Sequence, residues 1–486
     1  MRKYYHLAEQ LESGFRCWPI IGHSYLFVGN DEDRMTTFQK LGRATLKQGG
    51  VASAWLGNRL YIMIADAEVA ELVLKHSLEK DDVVKLSKYI IGNGSIFAPV
   101  SIWRPRRKIL APTFSQKNLA HFVHIFAKQS DIMVQQLKSK AGTGPFALWS
   151  YLTTYTMDSV CETTLNTQLQ VQKNPNHPFL KAFDSYCCLM SRRMCQPWLH
   201  SDFIYKLLPD FKLLTEAKIC MDDFINGIIK RKRREIKEKT ELNGNKEVKL
   251  DQFKSFLELL IETSGGDSGY TDEELREETL VLVMAGTDTS AVGTAFTALM
   301  FSWYPHVQQK VYDELKTVFG DSKRLVTPED LPRLKYMDAV IRETLRLYPP
   351  VPITTRKMTS DVTLPSGVTL LEGCGVVVNG WALHRNQEYW GADAEQFRPE
   401  RFLNIQYKHP AQFHAFSFGA RSCVGYQYAM MSIKTAMATL LRSYRVLPAA
   451  SSDVDVSKGD PKPLRLKFDI MMKDIDNYVV QIESRN

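Results

Sequence analysis

Apolar positions recur along this chain mostly with a helical period, interrupted by a few short strand-like runs. Residues 51–66 break from it: they read as two brief strands around a Gly57-Asn58 turn, with Leu60 to Ala65 apolar. From Asp66 a helical period resumes, with Val69, Leu72 and Val73 on one face. Residues 116–265 hold several helical patterns and few strand signals. Thr271 followed by Glu274 forms a capping box. It opens a helix predicted to run to about Trp303, where Pro305 stops it. At 1.5 Å per residue this helix is roughly 45–50 Å long. A shorter helix around Ile341–Arg346 ends at Pro349-Pro350. Val351–Met358 reads as extended, and Asp361–Thr369 as a hairpin turning at Pro365-Ser366-Gly367. Tyr426–Leu441 is helical again, and Leu464–Ile482 returns to short strands. The pattern predicts a mainly α protein with a small β-rich subdomain. With no Pro, Gly or Ser linker and no internal repeat in 486 residues, one large unit is expected.

Four stretches depart from that pattern. The first is Ala285-Gly286-Thr287-Asp288-Thr289-Ser290, in the middle of the apolar helix. Glycine there costs about 1 kcal/mol against alanine, and a rule broken once in a consistent element suggests function. A polar helix–helix contact is the bland alternative, and threonine can also turn its hydroxyl to the carbonyl one turn back. The second is Trp103-Arg104-Pro105-Arg106-Arg107-Lys108, where Trp103 and Arg107 share a helix face at i, i+4. Alone it reads as a basic surface patch, and Pro105 is tolerable only in a first helical turn. The third is Glu343-Thr344-Leu345-Arg346, an i, i+3 pair with Arg401 following in Phe397–Phe402. Glu273/Arg276 and Glu395/Arg398 have the same spacing, so spacing alone is weak.

The fourth is Phe416-Ser417-Phe418-Gly419-Ala420-Arg421-Ser422-Cys423-Val424-Gly425, with a helical run after it. Gly419 and Gly425 permit positive φ or a close backbone approach. Backbone N–H groups and Arg421 could then hold the sulfur of Cys423 deprotonated, and a thiolate donating to iron suits O–O cleavage. An isolated cysteine is ordinarily a small buried hydrophobe. A nucleophile lacks any surrounding motif here, and zinc is poorly supported because no C-x-x-C pair occurs.

Composition adds three points. The net charge of +8 suits an anionic membrane surface, an acidic protein partner or nucleic acid. Part of it lies in Lys230-Arg231-Lys232-Arg233-Arg234, read as a solvated helix end leading into a polar loop over Thr240–Lys249, and no nucleic-acid-binding motif accompanies it. Eight cysteines in so long a chain suggest a reducing compartment and no disulfide framework. The opening MRKYYHLAEQLES shows neither a signal peptide nor a membrane anchor.

The pattern F-x-x-G-x-R-x-C-x-G over Phe416–Gly425 resembles the haem-binding loop of the cytochrome P-450 superfamily, with every signature position filled. Trp103/Arg107, Ala285–Ser290, Glu343/Arg346 and Phe397–Phe402 match its other motifs in the same order, and the resemblance extends from Trp18 to Ile482. Asp158–Thr163 and Asp202–Tyr205 are similar to segments of the eukaryotic microsomal family 4 branch, which includes fatty-acid ω-hydroxylases, in an insect-type form. The division expected is a leader over 1–17 and a catalytic domain over 18–486.

The resemblance implies haem b between the long central helix and the helix after Cys423, with Cys423 as axial ligand and Phe416 and Arg421 in the supporting loop. It implies that Trp103 and Arg107 reach one propionate, that Arg356 contacts a propionate, and that Gly286 lets the central helix approach the haem. Asp288 and Thr289 would deliver protons to bound dioxygen. Glu343, Arg346 and Arg401 would form a buried structural triad. Many members of the branch carry a glutamate just before the glycine, able to esterify the haem; Ala285 stands there, so no such link is expected. The implied activity is monooxygenation of an apolar substrate (fatty acid, terpenoid or hormone, or foreign compound). Electrons would come from NADPH through a separate NADPH-cytochrome P-450 reductase, with cytochrome b5 as a further donor. Arg104, Arg106, Lys108 and Lys434 are the candidate docking cations. The implied location is the cytosolic face of the endoplasmic reticulum membrane. A haem-thiolate isomerase or dehydratase, or a non-catalytic haem sensor or carrier, are the rival readings, and the intact Asp288-Thr289 pair weighs against both.

Overall fold

The side chain of Thr271 accepts a hydrogen bond from the Glu274 N–H, and Glu274 reaches back to the Thr271 N–H, so both halves of the capping box form. The helix so started runs over Asp272–Trp303. In this computed structural model, which describes residues 2–243, 254–263, 269–450 and 464–485, the rest of the chain is laid around it. The helix packs against Trp149–Leu165, Pro209–Asn243, Lys335–Leu347 and Tyr426–Ser443. It is long and apolar enough to cross a membrane, yet 78% of its most apolar stretch is buried inside the fold. A helix apolar all round is a core helix here.

A four-stranded sheet stands to one side. Val51–Leu56 pairs antiparallel with Arg59–Ile64, which lies parallel to Gly375–Asn379 (Ile62 opposite Val376). Ile353–Lys357 completes it antiparallel, Thr355 opposite Val377. The expected hairpin forms between Val362–Thr363 and Thr369–Leu370. At the C-terminus, Leu466–Asp469 and Met471–Asp474 make a tight hairpin, with Ile470 at φ 70° in its turn. Val479–Ser484 then pairs with Tyr444–Pro448 and Phe146–Ala147.

Residues 2–10, expected as a leader, form a helix seated on the four-stranded sheet. Leu7 and Leu11 are buried there and Tyr5 stacks on Trp55 at 4.9 Å. The basic run 230–234 lies within the helix Pro209–Asn243, and it is not uniformly solvated. Lys232 is buried against Glu235 (2.7 Å) and Glu258 (3.4 Å). Of the polar loop expected over Thr240–Lys249, residues 244–249 lie outside the described residues. All eight cysteines are free thiols. The result is mainly α with a small β-rich part, as the periodicity predicts.

Candidate active site

The loop before the helix Tyr426–Ser443 is closed by its own backbone. Cys423 N–H donates to Phe416 O (2.9 Å) and Ser422 N–H to Gly419 O (2.9 Å). Gly419 takes φ 75° with Leu74 O where a β-carbon would sit at 3.4 Å. Gly425 has φ −89°, so its use is closeness rather than handedness: an added β-carbon would lie 3.9 Å from the Cys423 Sγ. Phe416 packs edge-on to Tyr426 at 4.6 Å. Cys423 is surrounded by protein yet accessible, because its open side is the wall of a cavity of about 260 Å³.

That cavity is mostly apolar. Cys423, Val424 and Phe416 line it together with Ala285, Gly286, Thr289 and Ser290 of the central helix. Burial raises the Cys423 thiol above its ordinary value, against a backbone hydrogen bond from Gly425 and the charge of Arg107. The local dipoles alone therefore do not keep the sulfur ionised. A coordinated metal ion does so directly, and Cys423 is the candidate for that contact. Among the described residues no cluster of three His, Cys, Asp or Glu side chains is placed to hold a metal ion.

Near the loop lies a group of cations with no ion-paired carboxylate among the described residues, Glu79 acting on Arg421 only from a distance. Arg356 is buried with its Nε and Nη2 unpartnered, and its Nη1 donates only to Thr355 O (2.8 Å). Burial and the nearby Arg421 push it down to about 10. Lys80 is held well below its ordinary value by burial and by the same two guanidinium groups, Arg356 and Arg421. No carboxylate is ion-paired to Arg107, Arg356, Arg421 or Lys80 among the described residues. Removing one partner of a buried ion pair is strongly destabilising, so the arrangement fits a ligand that brings its own negative charges. Haem b, with two propionates and an iron atom needing one axial thiolate, has that chemistry.

The expected site residues are not all used as the sequence suggests. Arg421 does not sit on the sulfur. It stacks over Trp103 at 4.2 Å and donates to Leu78 O, Ser95 O and Ala98 O, and the cation acting on Cys423 is Arg107. Trp103 and Arg107 share the helix Val100–Leu110, but Pro105 is its sixth residue and not in the first turn. An ordinary helix would give the Ser101 carbonyl a donor at that point, and proline has none.

Gly286 lines the cavity, while its missing β-carbon also makes room for Val160, which would be 3.0 Å away. Thr289 donates to Ala285 O at 2.6 Å, the back-bond expected. Asp288 does not line the cavity; its carboxylate turns away and pairs with Lys473 at 3.0 Å. Two residues of the site carry no legible sequence signal: Lys80, and His414, whose Nδ1 is buried and unpartnered.

Glu343 and Arg346 form a bidentate pair (2.7 and 2.9 Å), and Arg401 adds a third contact to Glu343 at 3.1 Å. Both members of the bidentate pair are fully buried. Arg346 also donates to the carbonyls of His384, Ala394 and Gln396. The decoys with the same spacing differ: Arg276 pairs with Asp222 and more distantly with Glu273, and Arg398 takes Asp393 in place of Glu395.

Behind the triad, His384 faces Arg346 O with Nδ1 and accepts the His414 N–H at Nε2 (both 2.7 Å), which puts its proton on Nδ1. Burial holds His384 well below its ordinary value, and burial with Arg356 nearby pushes His414 down to about 3. Unfolded histidine titrates near 6.5, so between that pH and the folded value the unfolded chain binds more protons. Stability conferred by these two sites is complete above pH ~6.5 and is lost as pH falls. Thermal unfolding measured from pH 8 to 5 should show a falling midpoint below about 6.5, with a shallower fall in His414→Gln. Identical slopes in wild type and variant would show that His414 is not held neutral.

The family model for cytochrome P-450 matches residues 13–469. Cytochrome P-450 4d2 of Drosophila melanogaster is 32% identical over 90% of this chain and 88% of its own length. Cytochrome P-450 4V2 of Mus musculus is 31% identical over 92% and 86%, and cytochrome P-450 4c21 of Blattella germanica 30% over 88% and 86%. The chain belongs to the cytochrome P-450 family, whose members are monooxygenases that use haem b with a cysteine thiolate and electrons delivered through a redox partner. Its relatives are family 4 members, and insect and mammalian sequences match it to the same degree.

Proposed function

We propose that Cys423 is the axial ligand of the haem and that the chain hydroxylates or otherwise oxygenates an elongated apolar molecule. The observation that carries this reading is the apolar cavity with Cys423 on one wall and Thr289 on the helix across it, beside cations with no ion-paired carboxylate among the described residues. Bound haem supplies the activation of dioxygen. The chain's own residues do the rest. Cys423 donates electron density through its sulfur. Arg107, Arg356, Lys80 and Trp103 are the groups available to seat the propionate edge. The Thr289 hydroxyl, bonded to Ala285 O, opens the helix on the cavity side and is the group nearest to hand a proton into it. Ser290 adds an unpartnered hydroxyl on the same wall.

A second cavity of about 220 Å³ shares Ile96, Val351 and Thr354 with the first, and Phe38, Phe468 and Met471 extend its wall. Two apolar chambers in series suit a long substrate such as a fatty acid or terpenoid.

Electrons are read as coming from NADPH-cytochrome P-450 reductase, with cytochrome b5 as a further donor. Two of the four candidate docking cations are otherwise engaged. Arg106 is buried among Glu278 (2.9 Å), Glu277 (3.2 Å) and Glu274 (3.3 Å), and Lys434 pairs with Asp338 at 2.7 Å. Arg104 and Lys108 are exposed on the same helix and remain available.

The endoplasmic reticulum membrane is the proposed location. Exposed Trp18, Ile20, Trp198, Phe203, Ile204 and Leu207 offer apolar side chains to a bilayer surface.

The test is turnover under ¹⁸O₂ with NADPH and purified reductase against a panel of fatty acids and terpenoids. One ¹⁸O atom in the product is expected, and Arg104→Glu with Lys108→Glu should slow turnover severalfold at low salt and less at high salt. Product formed without NADPH would replace this reading with a haem-thiolate isomerase.

A further inference from the structure

Arg106 turns inward from the helix Val100–Leu110 and meets the central helix at two buried carboxylates. Its Nη1 lies 3.2 Å from Glu277 and 2.9 Å from Glu278, and both glutamates are closed off from solvent. Glu274, at 3.3 Å, is the outer and more exposed partner. One cation is too little for two buried carboxylates, which keep their charge only with further donors. Residues 93–95 supply them. Asn93 N–H donates to Glu277 (2.8 Å) and Ser95 Oγ donates to Glu278 (2.9 Å), while Arg106 Nη1 closes the ring on Asn93 O (2.8 Å).

The sequence Gly92-Asn93-Gly94-Ser95 suits this seat. Gly92 takes φ 55°, and a β-carbon there would lie 2.0 Å from Glu277 Oε1. One at Gly94 would lie 2.5 Å from Val281 Cγ2 and 2.8 Å from Glu277 O. Only bare backbone fits against the central helix at both positions.

The residue held by this clamp is Ile96. Arg421 fastens the segment from its other end, donating to Ser95 O (3.2 Å) and Ala98 O (2.7 Å) while stacked on Trp103. Between the two guanidinium groups, Ile96 keeps 40% of its surface open and lines both cavities. The other two residues common to both cavities are Thr354, in the strand Ile353–Lys357, and Val351, just before it. The passage between the chambers is therefore bounded by that segment on one side and by Ile96 on the other.

We propose that Arg106, Glu277 and Glu278 are positioning residues for Ile96: by pinning residues 92–98 to the central helix they fix the girth of the passage between the chambers, which admits an unbranched apolar chain and disfavours a branched one. None of the three lines either cavity, so each acts through the loop. This rests on the reading of the chain as a monooxygenase of an elongated substrate.

The experiment uses the full chain with haem and compares wild type with Arg106→Gln, Arg106→Lys, Ser95→Ala, Ile96→Ala and the double variant Arg106→Gln/Ile96→Ala. The probes are lauric acid and the same acid with a methyl branch at mid-chain. Affinity is read from the shift of the haem absorption band on titration, and reductase-supported turnover gives kcat and KM for each probe. We expect the wild type to favour the unbranched probe about tenfold, the low end of what one methyl group is worth in an apolar pocket. Ile96→Ala should abolish that preference, and Arg106→Gln should cut it about threefold, through Kd and KM with kcat for lauric acid little changed. Ser95→Ala should move it the same way by less, and Arg106→Lys should restore it. In the double variant, Arg106→Gln should add nothing to Ile96→Ala, because it acts only through that side chain. Hydrogen exchange over residues 92–98, which needs no activity, should be faster in Arg106→Gln and return toward wild type in Arg106→Lys. Should Arg106→Gln not fold, Arg106→Gln/Glu278→Gln removes the cation with one carboxylate and carries the same comparison.

An equal loss of affinity for both probes in Arg106→Gln, with the preference intact, overturns the proposal and leaves the cluster a structural brace. A wild type that binds both probes alike, an unchanged preference in Ile96→Ala, a further change in the double variant or unaltered exchange over residues 92–98 overturns it too. A wild type that responds to neither probe and forms no product from any of the fatty acids or terpenoids overturns the proposed function itself, and the proposal with it.

Discussion

Reduced protein exposed to carbon monoxide should give a strongly red-shifted Soret band in the wild type and lose it in Cys423→His. The expectation follows from the cavity wall. Cys423 is the one cysteine lining that cavity, which it shares with the central helix residues Gly286 and Thr289. Histidine can occupy an axial position, so haem can still bind, but imidazole lacks the electron donation of a thiolate. We expect reductase-supported turnover to fall about a thousandfold or more, ~4 kcal/mol in the barrier. The paired measurement matters because haem content and spectral type separate two failures. A variant without haem reports only on assembly, for which Cys423→Ser at matched haem content is the control. A wild type showing an imidazole-type spectrum would remove Cys423 from the iron altogether.

Glu343→Gln should be the most damaging change outside the cavity. The wild-type carboxylate accepts from Nε and Nη2 of Arg346, the Nε of Arg401 and the Arg398 N–H, all within 3.1 Å. Neutralising it leaves the buried Arg346 guanidinium with only carbonyl partners in the described network, while Arg401 keeps Asp393 at 3.2 Å. Breaking a buried pair in this way costs roughly 3–5 kcal/mol, a large share of the 5–15 kcal/mol that holds a typical protein folded. The consequence reaches the site, because Arg346 also ties down the carbonyls of His384 and Ala394, and His384 accepts the N–H of His414 beside the cavity. We expect poor recovery of soluble holoprotein, an unfolding midpoint many degrees lower, and faster transfer of haem to an acceptor such as apomyoglobin. Glu273→Gln, at a decoy with the same spacing, should do far less, since Glu273 is exposed and Arg276 pairs more closely with Asp222. Near-wild-type melting of Glu343→Gln would show that the triad contributes little.

What the chain's sequence determines by itself is local. The capping box at Thr271, the Gly57-Asn58 turn between two short strands and the Pro-Ser-Gly turn at 365–367 each set a backbone conformation through groups a few residues apart, and each appears in the structure. The loop around Cys423 is of the same kind, since its glycines and its backbone hydrogen bonds all lie within ten residues. Glu343 and Arg346 meet because a helix brings i and i+3 together; only Arg401 had to arrive from elsewhere.

Partner choice across the fold was decided by the tertiary structure. Arg104, Arg106 and Lys108 read alike in sequence, yet Arg106 faces inward onto three glutamates of the central helix. Asp288 and Thr289 are adjacent, but neighbours on a helix differ by about 100° in direction, so one faces Lys473 and the other the cavity. The parallel pairing of Arg59–Ile64 with Gly375–Asn379, and the gathering of Lys80, Arg356 and Arg421, likewise depend on segments distant in sequence. A periodic pattern states which face of an element is apolar; it carries no term for what that face will meet, and a cavity exists only where several such faces fail to close.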